Sequence, residues 1–251
     1  MEKPRAFLIH LSISVIVFLP FLYVICFIWY PSPLLEMEGG KQILVLLIVS
    51  TIISGPLLTW IIYKPGKKGL VFDLIFIPIV QIMALLYGVY ILYLERPQYI
   101  AFNVDRFSLI PAASINIDEL QDKSLETSWL DKPVFVYIEM PEDSIKRMEI
   151  TVETLSGGKD FIQRPEFFRP FQKFSTEIIS DSHQLSLKQI LQSYPDLEKQ
   201  IDKLARNHNM SVDEFVFYPF QGKQNDRIIV LKKNNAKQVS ILNIDPWNIK
   251  S

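Results

Sequence analysis

Three long runs of apolar residues fill most of the first 94 positions of the chain, at 6–30, 43–63 and 70–94. At the helical rise of about 1.5 Å per residue, each run is long enough to cross a hydrocarbon core of about 30 Å. Backbone groups in lipid must find hydrogen-bond partners within their own segment, so such runs fold as helices. The sequence therefore predicts three transmembrane helices in residues 1–94. The first run is too long for the core of a secretory signal peptide.

A short basic turn, Lys64-Pro-Gly-Lys-Lys-Gly69, joins the second run to the third. Lysine and arginine in short loops mark the cytoplasmic side of a membrane protein. The turn and the amino terminus together carry five such residues, Lys3, Arg5, Lys64, Lys67 and Lys68. We therefore expect the amino terminus and the turn in the cytoplasm, and residues 95–251 on the opposite side. Asp73 follows the turn closely enough to pair with one of its lysines.

Small residues recur at a spacing of four within the second and third runs, as Ser50 with Ser54 and as Ala84 with Gly88. Residues four apart lie on the same face of a helix, and small ones allow a neighbouring helix to approach closely. Two interpretations remain open from the sequence. The pairs could pack the three predicted helices against one another, or they could receive a transmembrane helix from another protein.

The composition changes at Glu95. The sequence from there to the end contains 20 Lys and Arg and 23 Asp and Glu, without a basic block. A protein that binds nucleic acid through phosphate contacts normally shows a concentrated basic surface, so no nucleic-acid partner is expected. The single cysteine, Cys26, lies in the first run, which excludes a disulfide framework within the chain. Residues 95–251 therefore form an outer domain that its apolar core must hold together.

The outer domain mixes strand and helix patterns. Segments rich in β-branched and aromatic residues, or alternating in polarity, predict strands at 99–104, 133–140, 214–220, 226–231 and 238–244. A short helix is predicted at 116–121, and apolar residues recur at helical spacing in 142–155 and 185–207, with an interruption near Pro195. The phenylalanine-rich segment 164–174 contains two Arg-Pro steps, which predict an irregular strap across the core. The expected fold is an α+β domain with an antiparallel sheet.

The sequence contains no nucleophile elbow, phosphate-binding loop or dinucleotide fingerprint. The three histidines, His10, His183 and His208, lack the spacing of a metalloprotease helix. We therefore expect neither an enzyme nor a bound metal or cofactor.

Arginines beside aromatic residues are the candidates for recognition, namely Arg96, Arg106, Arg164 and Arg169. Arginine and aromatic residues are enriched at the energetic centres of protein interfaces. Arginines that pack over aromatic rings inside the fold would produce the same pattern. Both interpretations remain open at this stage.

Several short motifs occur in order along the chain, among them Trp29-Tyr-Pro-Ser-Pro33, Gly55-Pro-Leu-Leu-Thr59, Lys64-Pro-Gly-Lys-Lys68, Ala84-Leu-Leu-Tyr-Gly88, Val104-Asp-Arg-Phe107 and Asp245-Pro-Trp247. These motifs, together with the three predicted transmembrane helices, make the chain resemble the TfpX/TfpZ family of type IV pilin accessory proteins. The central region, 115–158, matches that family least well.

The resemblance implies a protein of the Gram-negative inner membrane, with the amino terminus in the cytoplasm and residues 95–251 in the periplasm. It also implies a cognate type IV major pilin as partner, contact with the pilus assembly machinery, a role in twitching motility, and neither enzyme activity nor a cofactor. The chain is not itself a pilin, because its amino terminus lacks the cleavage junction and the glutamate that follows it. The alternative is an inner-membrane sensor or transporter subunit with a ligand-binding periplasmic domain.

Overall fold

A bundle of three long helices makes up the amino-terminal part of the chain. The computed structural model describes residues 2–249 and separates into two units, one that ends at Arg96 and one that begins at Pro97. We call the first the helical unit and the second the sheet unit.

Within the described part of the helical unit, three helices are long and apolar enough to cross a membrane. They are Lys3–Trp29, Gly40–Ile62 and Leu70–Leu94, here called spans 1, 2 and 3. Span 1 is α1 (Lys3–Tyr23) followed by a π-helical segment (Val24–Trp29). After the short helix α2 (Leu34–Met37), span 2 consists of α3 (Gly40–Ile48), a π-helical segment (Val49–Ser54) and α4 (Gly55–Ile62). Span 3 is α5 (Leu70–Leu94).

Each span buries one stripe of side chains and leaves its other apolar faces open. The internal contacts join Phe18 and Ile25 of span 1, Leu44 and Leu47 of span 2, and Leu85 of span 3. Large apolar side chains elsewhere on the spans are exposed, with the highest fractions at positions such as Ile16, Leu46 and Val71. Exposed apolar surface on every side is costly in water and suits a solvent of lipid chains.

The basic turn lies between spans 2 and 3. Gly66 and Gly69 adopt positive φ angles of 78° and 83°, a backbone region that glycine enters without steric cost. The Nζ atom of Lys67 lies 2.6 Å from Oδ2 of Asp73, so the expected pairing of Asp73 with a lysine of the turn is confirmed. The side chains of Lys64 and Lys68 are exposed.

The sheet unit is built on one seven-stranded sheet. Its strands are β1 (Pro97–Asn103), β2 (Arg106–Pro111), β3 (Val134–Ile138), β4 (Phe168–Pro170), β5 (Phe215–Gln221), β6 (Arg227–Lys232) and β7 (Gln238–Leu242), in the spatial order β4-β3-β1-β2-β5-β6-β7. Its α-helices are α6 (Ser144–Leu155), α7 (Ser175–Ser180), α8 (Leu187–Ser193) and α9 (Glu198–Asn207).

The prediction of an antiparallel sheet is wrong, because the sheet is mixed. The hairpins β1–β2, β5–β6 and β6–β7 are antiparallel, whereas β1 pairs in parallel with β3 and β2 pairs in parallel with β5. Parallel neighbours need long connections, and the segments 112–133 and 171–214 supply the chain length for them. Short-range patterns locate strands, but they do not fix the direction in which a distant strand returns.

An apolar cluster packs against each end of the sheet. One packs Tyr99, Ala101 and Val136 of the sheet against Ile150 of α6 and Phe161. The other packs the side chains of β5, β6 and β7 against α8 and α9, including Ile190, Ile201, Phe217 and Val230. These contacts confirm two amphipathic helices within 185–207, and the chain between them passes through a short 3₁₀ turn at Pro195–Leu197.

Other sequence expectations are met in part. The strand at Arg106–Pro111 is an addition, because the prediction ended the first strand at 104 and assigned nothing to the segment that follows it. The phenylalanine-rich segment 164–174 does cross the core, with Phe167, Phe168 and Phe171 buried. It is not wholly irregular, since three of its residues form the edge strand β4.

Candidate functional site

A cluster of polar side chains lies inside the helical unit, where apolar contacts would be expected. It consists of five residues from all three spans, His10 and Ser14 of span 1, Thr51 and Thr59 of span 2, and Gln81 of span 3. We call this set the polar cluster. Polar groups at membrane depth are expensive unless they are hydrogen-bonded, and they commonly mark functional sites.

Hydrogen bonds connect the polar cluster. The Nδ1 atom of His10 lies 2.6 Å from Oγ1 of Thr59, and its Nε2 atom lies 3.0 Å from Oε1 of Gln81. The amide nitrogen of Gln81 donates to Oγ of Ser14 at 3.1 Å and also to the carbonyl oxygen of Thr51. With the proton of His10 on Nε2, the ring donates to Gln81 and accepts from the hydroxyl of Thr59. That tautomer satisfies every one of these bonds.

The local sequence of span 2 explains why Gln81 can bond there. A π-helical carbonyl accepts from the N–H group five residues further on, and the residue five after Thr51 is Pro56, which has no N–H. The carbonyl of Thr51 is therefore available to a side chain. Gly55 leaves the necessary space, because a Cβ atom at this position would lie only 1.9 Å from Oε1 of Gln81.

A cavity of about 240 Å³ lies over the polar cluster. His10, Ser14, Thr51, Thr59 and Gln81 all line it, and the remaining lining side chains are apolar. Ser14, Thr51 and Thr59 are buried. Among residues 2–249, the hydroxyl of Thr51 has no hydrogen-bond partner.

The four small residues singled out by their spacing, Ser50, Ser54, Ala84 and Gly88, differ in their contacts and exposure. The hydroxyls of Ser50 and Ser54 donate to carbonyls of their own helix, those of Leu47 and Val49. Gly88 is in close helix contact, since a Cβ atom there would lie 2.4 Å from Cδ2 of Leu47. Ala84 is exposed. Of these four residues, Gly88 is the one at which an added Cβ atom would overlap a side chain of another span.

The spacing pattern missed the residues through which span 2 contacts the other two spans, because they lie one position further along span 2 than Ser50 and Ser54. Thr51, Gly55 and Thr59 recur at a spacing of four, as Ser50 and Ser54 do, and all three are buried. The signal that could have identified this face is the set of polar residues within the other two runs. His10 and Ser14 are also four apart, and Gln81 is an amide in the third run.

Two of the four candidate arginines stack on aromatic rings. The guanidinium carbon of Arg96 lies 4.0 Å from the ring centroid of Tyr93, and its Nη1 atom donates to the carbonyl of Tyr93 at 2.8 Å. Arg106 lies over the ring of Trp247 at 4.9 Å. The alternative left open by the sequence, an arginine packed over a ring inside the fold, describes the buried Arg96, whereas Arg106 is partly exposed and Trp247 is 50% exposed.

The other two arginines are held by carboxylates and carbonyls. The Nη2 atom of Arg164 lies 2.7 Å from Oε2 of Glu153, and only 15% of the arginine side chain is exposed. Arg169 contacts Glu139 at 2.7 Å and donates to the carbonyls of Glu166 and Phe168 at 2.9 Å each. Both side chains already serve the fold, so any role in recognition would be additional to these contacts.

Arg106 belongs to a charged group near the carboxyl end of the chain. Its Nε and Nη2 atoms donate to the two carboxylate oxygens of Asp105 at 2.7 Å each. These hydrogen bonds lower the pKa of Asp105, and they raise the pKa of Arg106. Trp247 donates its indole N–H to Asp226. The group therefore fastens the carboxy-terminal segment to two turns of the sheet.

A stripe of apolar side chains on α6 is exposed. Its members are Ile145, Met148, Val152 and Leu155, which are 62%, 63%, 56% and 83% exposed. The predicted helix is confirmed, but these side chains face away from the core. The opposite face holds the helix in place, since Ile150 is buried and Arg147 and Thr154 bond to backbone carbonyls. We call the four exposed residues the α6 stripe.

The histidines and acidic residues of the described chain are too scattered to form a metal site. No group of three or more His, Cys, Asp or Glu side chains in residues 2–249 is placed to hold a metal ion. His10 belongs to the polar cluster. The Nδ1 atom of His183 lies 2.8 Å from Oδ1 of Asp181, two residues away in an exposed loop.

Two fimbrial assembly proteins of Dichelobacter nodosus, those of serogroups E1 and I, are 26% and 25% identical to this chain over 250 aligned residues. These alignments span 96% of this chain and 95% of each relative. The fimbrial assembly protein of serogroups C1 and C2 is 33% identical over 114 residues, which are 45% of this chain and 87% of that relative. No family profile and no solved structure matches the chain. The chain therefore belongs to the family of fimbrial assembly proteins.

Proposed function

We propose that this protein is an inner-membrane accessory protein of the TfpX/TfpZ group. In this role it assists the assembly, stability or surface display of a cognate type IV major pilin. The observation that carries the proposal is the extent of the similarity to two fimbrial assembly proteins. Because the alignments span 96% of the chain, they include both the helical unit and the sheet unit. A role shared with these relatives would therefore involve both units and not one of them alone.

The proposed location follows from charge and apolarity. Three helices are long and apolar enough to cross a membrane, and the lysines of the turn at 64–69 mark one side of it. This arrangement favours a cytoplasmic amino terminus and a periplasmic sheet unit. A pilin before assembly would have its apolar helix in the same membrane and its globular part in the same compartment. The two units could then contact both parts of one partner.

We propose that the protein acts through contacts and not by catalysis. Arg106, Arg164 and Arg169 are already bound within the sheet unit, which makes them weaker candidates for the contact surface than the sequence suggested. The α6 stripe is the stronger candidate. Four large apolar side chains exposed side by side on one helix are typical of a protein interaction surface. The proposed occupant of this surface is the globular part of the pilin.

Deletion of the gene tests the proposed function. In a strain without the protein, we expect few or no surface pili and restoration when the full chain is supplied from a plasmid. Total pilin is measured in the same cells, which separates failure to assemble pili from loss of the pilin itself. Normal numbers of surface pili and normal twitching in the deletion strain would contradict the proposal. The sensor or transporter alternative predicts instead a ligand-dependent shift in the thermal unfolding of the protein.

A further inference from the structure

The cavity over the polar cluster opens between spans 1 and 3. Its rim is apolar and exposed, formed by Ile9, Ile13 and Val17 on span 1 and by Ile82 on span 3. Span 2 contributes Thr51 and Thr59 to its floor. We call this site the groove. It combines an apolar rim, which suits lipid or an apolar helix, with a floor of polar groups, which does not suit lipid.

The floor has a hydrogen-bond donor without a partner among the described residues. Both amide hydrogens of Gln81 have acceptors, and both ring nitrogens of His10 have partners. Thr51 is 97% buried and lines the groove, and its hydroxyl has no hydrogen-bond partner within residues 2–249. A free hydroxyl in apolar surroundings loses the hydrogen bonds that water would have given it. An occupant with a hydrogen-bond acceptor would restore one of them.

The depth of this hydroxyl indicates which kind of occupant can reach it. Thr51 lies eleven residues before Ile62, the end of span 2 beside the basic turn, and Gln81 lies eleven residues after Leu70, the start of span 3. Eleven residues correspond to about 16 Å along a helix, which is about half of a hydrocarbon core of 30 Å. Lipids offer only acyl chains at that depth. A transmembrane helix is the structure that brings an acceptor side chain there.

The size of the groove also favours side chains over a separate ligand. Its volume of about 240 Å³ lies below the range of roughly 300–1,000 Å³ that is typical of small-molecule pockets. The groove is open along its rim, so side chains that project from a neighbouring helix can enter it. One polar side chain could reach the floor while apolar neighbours cover Ile13 and Ile82.

We propose that the groove binds the transmembrane helix of a partner, an apolar helix that presents one hydrogen-bond-accepting side chain to Thr51. The identity of that helix as the pilin's rests on the proposed function. The proposal that a transmembrane helix binds in the groove rests instead on the hydroxyl of Thr51 without a partner, on its depth and on the apolar rim. This places one of the two proposed pilin contacts inside the membrane.

Photo-crosslinking in intact cells that express the pilin tests the proposal. A photoreactive amino acid replaces Ile13 or Ile82 on the rim of the groove, and Leu19 or Met83 serves as its control. These controls have similar exposure on the same two helices, 53% and 58% against 55% and 49%, but they do not line the groove. We expect adducts with the pilin from the two rim positions and not from the two controls.

A pair of substitutions at Thr51 then tests the hydroxyl. Thr51→Val keeps the shape and removes the donor, while Thr51→Ser keeps the donor. Because this hydroxyl has no partner in the described chain, Thr51→Val should leave the amount of folded protein unchanged. The yield of pilin adducts should fall by about threefold to tenfold in Thr51→Val and remain high in Thr51→Ser.

Three outcomes would overturn the inference: equal adducts from all four positions, adducts with lipid alone, or equal yields from the two Thr51 variants. Failure here is distinguishable from failure of the proposed function. If deletion abolishes surface pili but the rim positions never crosslink to the pilin, the groove proposal is wrong and the proposed function stands. If the rim crosslinks to the pilin but deletion leaves piliation normal, the proposed function is wrong.

Discussion

Individual residues in the helical unit show how closely the spans are fitted together. Gly55 and Gly88 are both places where a Cβ atom would overlap a side chain of another span, Gln81 in one case and Leu47 in the other. In lipid, the tendency of apolar side chains to leave water does not hold helices together, so close packing and interhelical hydrogen bonds must. Close packing and an interhelical hydrogen bond occur together at Gly55, because the absence of a side chain there leaves room for the amide of Gln81.

The pair Ala84 and Gly88 gives a prediction with an internal control. Gly88→Leu would force Leu47 to move, at a cost of about 1–3 kcal/mol in the free energy of unfolding. Ala84→Leu adds the same kind of side chain to an exposed position of the same helix and should have little effect. Thermal unfolding of the purified full chain in detergent measures both variants. Equal destabilisation by the two substitutions would show that Ala84 also packs against another span.

Asp105 gives a prediction that depends on pH. The hydrogen bonds from Arg106 lower its pKa in the folded protein, whereas an unfolded aspartate titrates near its usual value of about 3.9. The stabilisation is therefore fully present above that value and is lost as the pH falls through the lowered pKa. About a third of the Arg106 and Asp105 side chains is exposed. We therefore expect their ion pair to contribute only about 0.5–1 kcal/mol to the free energy of unfolding.

The variant Asp105→Asn isolates this contribution. At pH 7 it should unfold more easily than the unaltered protein by that amount. The difference should shrink as the pH is lowered below about 4, because the aspartate of the unfolded chain is then protonated, and it should vanish once the pH falls below the lowered pKa of the folded form. Chemical unfolding of the full chain at pH 7 and pH 3 gives the comparison. A difference of the same size at both values would assign the effect to a cause other than the charge of Asp105.

At the scale of elements, the sequence identified most helices and strands, but not how they are joined and oriented. The three spans, the strand at 134–138 and the helices on either side of Pro195 follow from periodicity and composition. The parallel pairings of β1 with β3 and of β2 with β5 depend on long connections, which local patterns do not describe. Residue type also fails to predict the backbone of the hairpin before β7, since its positive φ angle falls on Ala236 rather than on Asn234 or Asn235, although asparagine enters this region more readily than alanine.

The candidate site was predictable only in part for the same reason. Ser50 and Ser54 have the right spacing but lie one position away from the buried face of Thr51, Gly55 and Thr59. A difference of one residue turns a helix by about 100°. The network joins residues as far apart in sequence as His10 and Gln81, and only their meeting in the fold reveals it.

The helix α6 carries the prediction at this scale. Met148→Lys places a charge in the exposed α6 stripe and should change the free energy of unfolding by no more than about 0.5 kcal/mol. It should nevertheless reduce the number of surface pili, because it disrupts an apolar contact with the partner. Met148→Leu, which keeps the stripe apolar, is the matched control. Normal piliation with Met148→Lys at an unchanged protein level would remove the stripe from the proposed contact surface.

At the scale of the whole molecule, the proposed function depends on which side of the membrane holds each unit. A reporter that is active only in the periplasm, fused to the carboxyl terminus, should be active, and the same reporter inserted at Gly66 should be inactive. The lysines of the turn supply the physical reason, since loops that carry them remain on the cytoplasmic side. The reverse pattern would separate the sheet unit from the globular part of the pilin and refute the mechanism.

The number of surface pili per cell at a fixed amount of pilin tests the central claim most directly. The deletion strain expresses the pilin from an inducible promoter, adjusted so that total pilin equals that of the parent strain, and pili are counted by electron microscopy. We predict far fewer pili than in the parent, with recovery when the full chain is supplied. Equal counts in the deletion strain and the parent, at equal total pilin, would contradict a role in assembly or surface display.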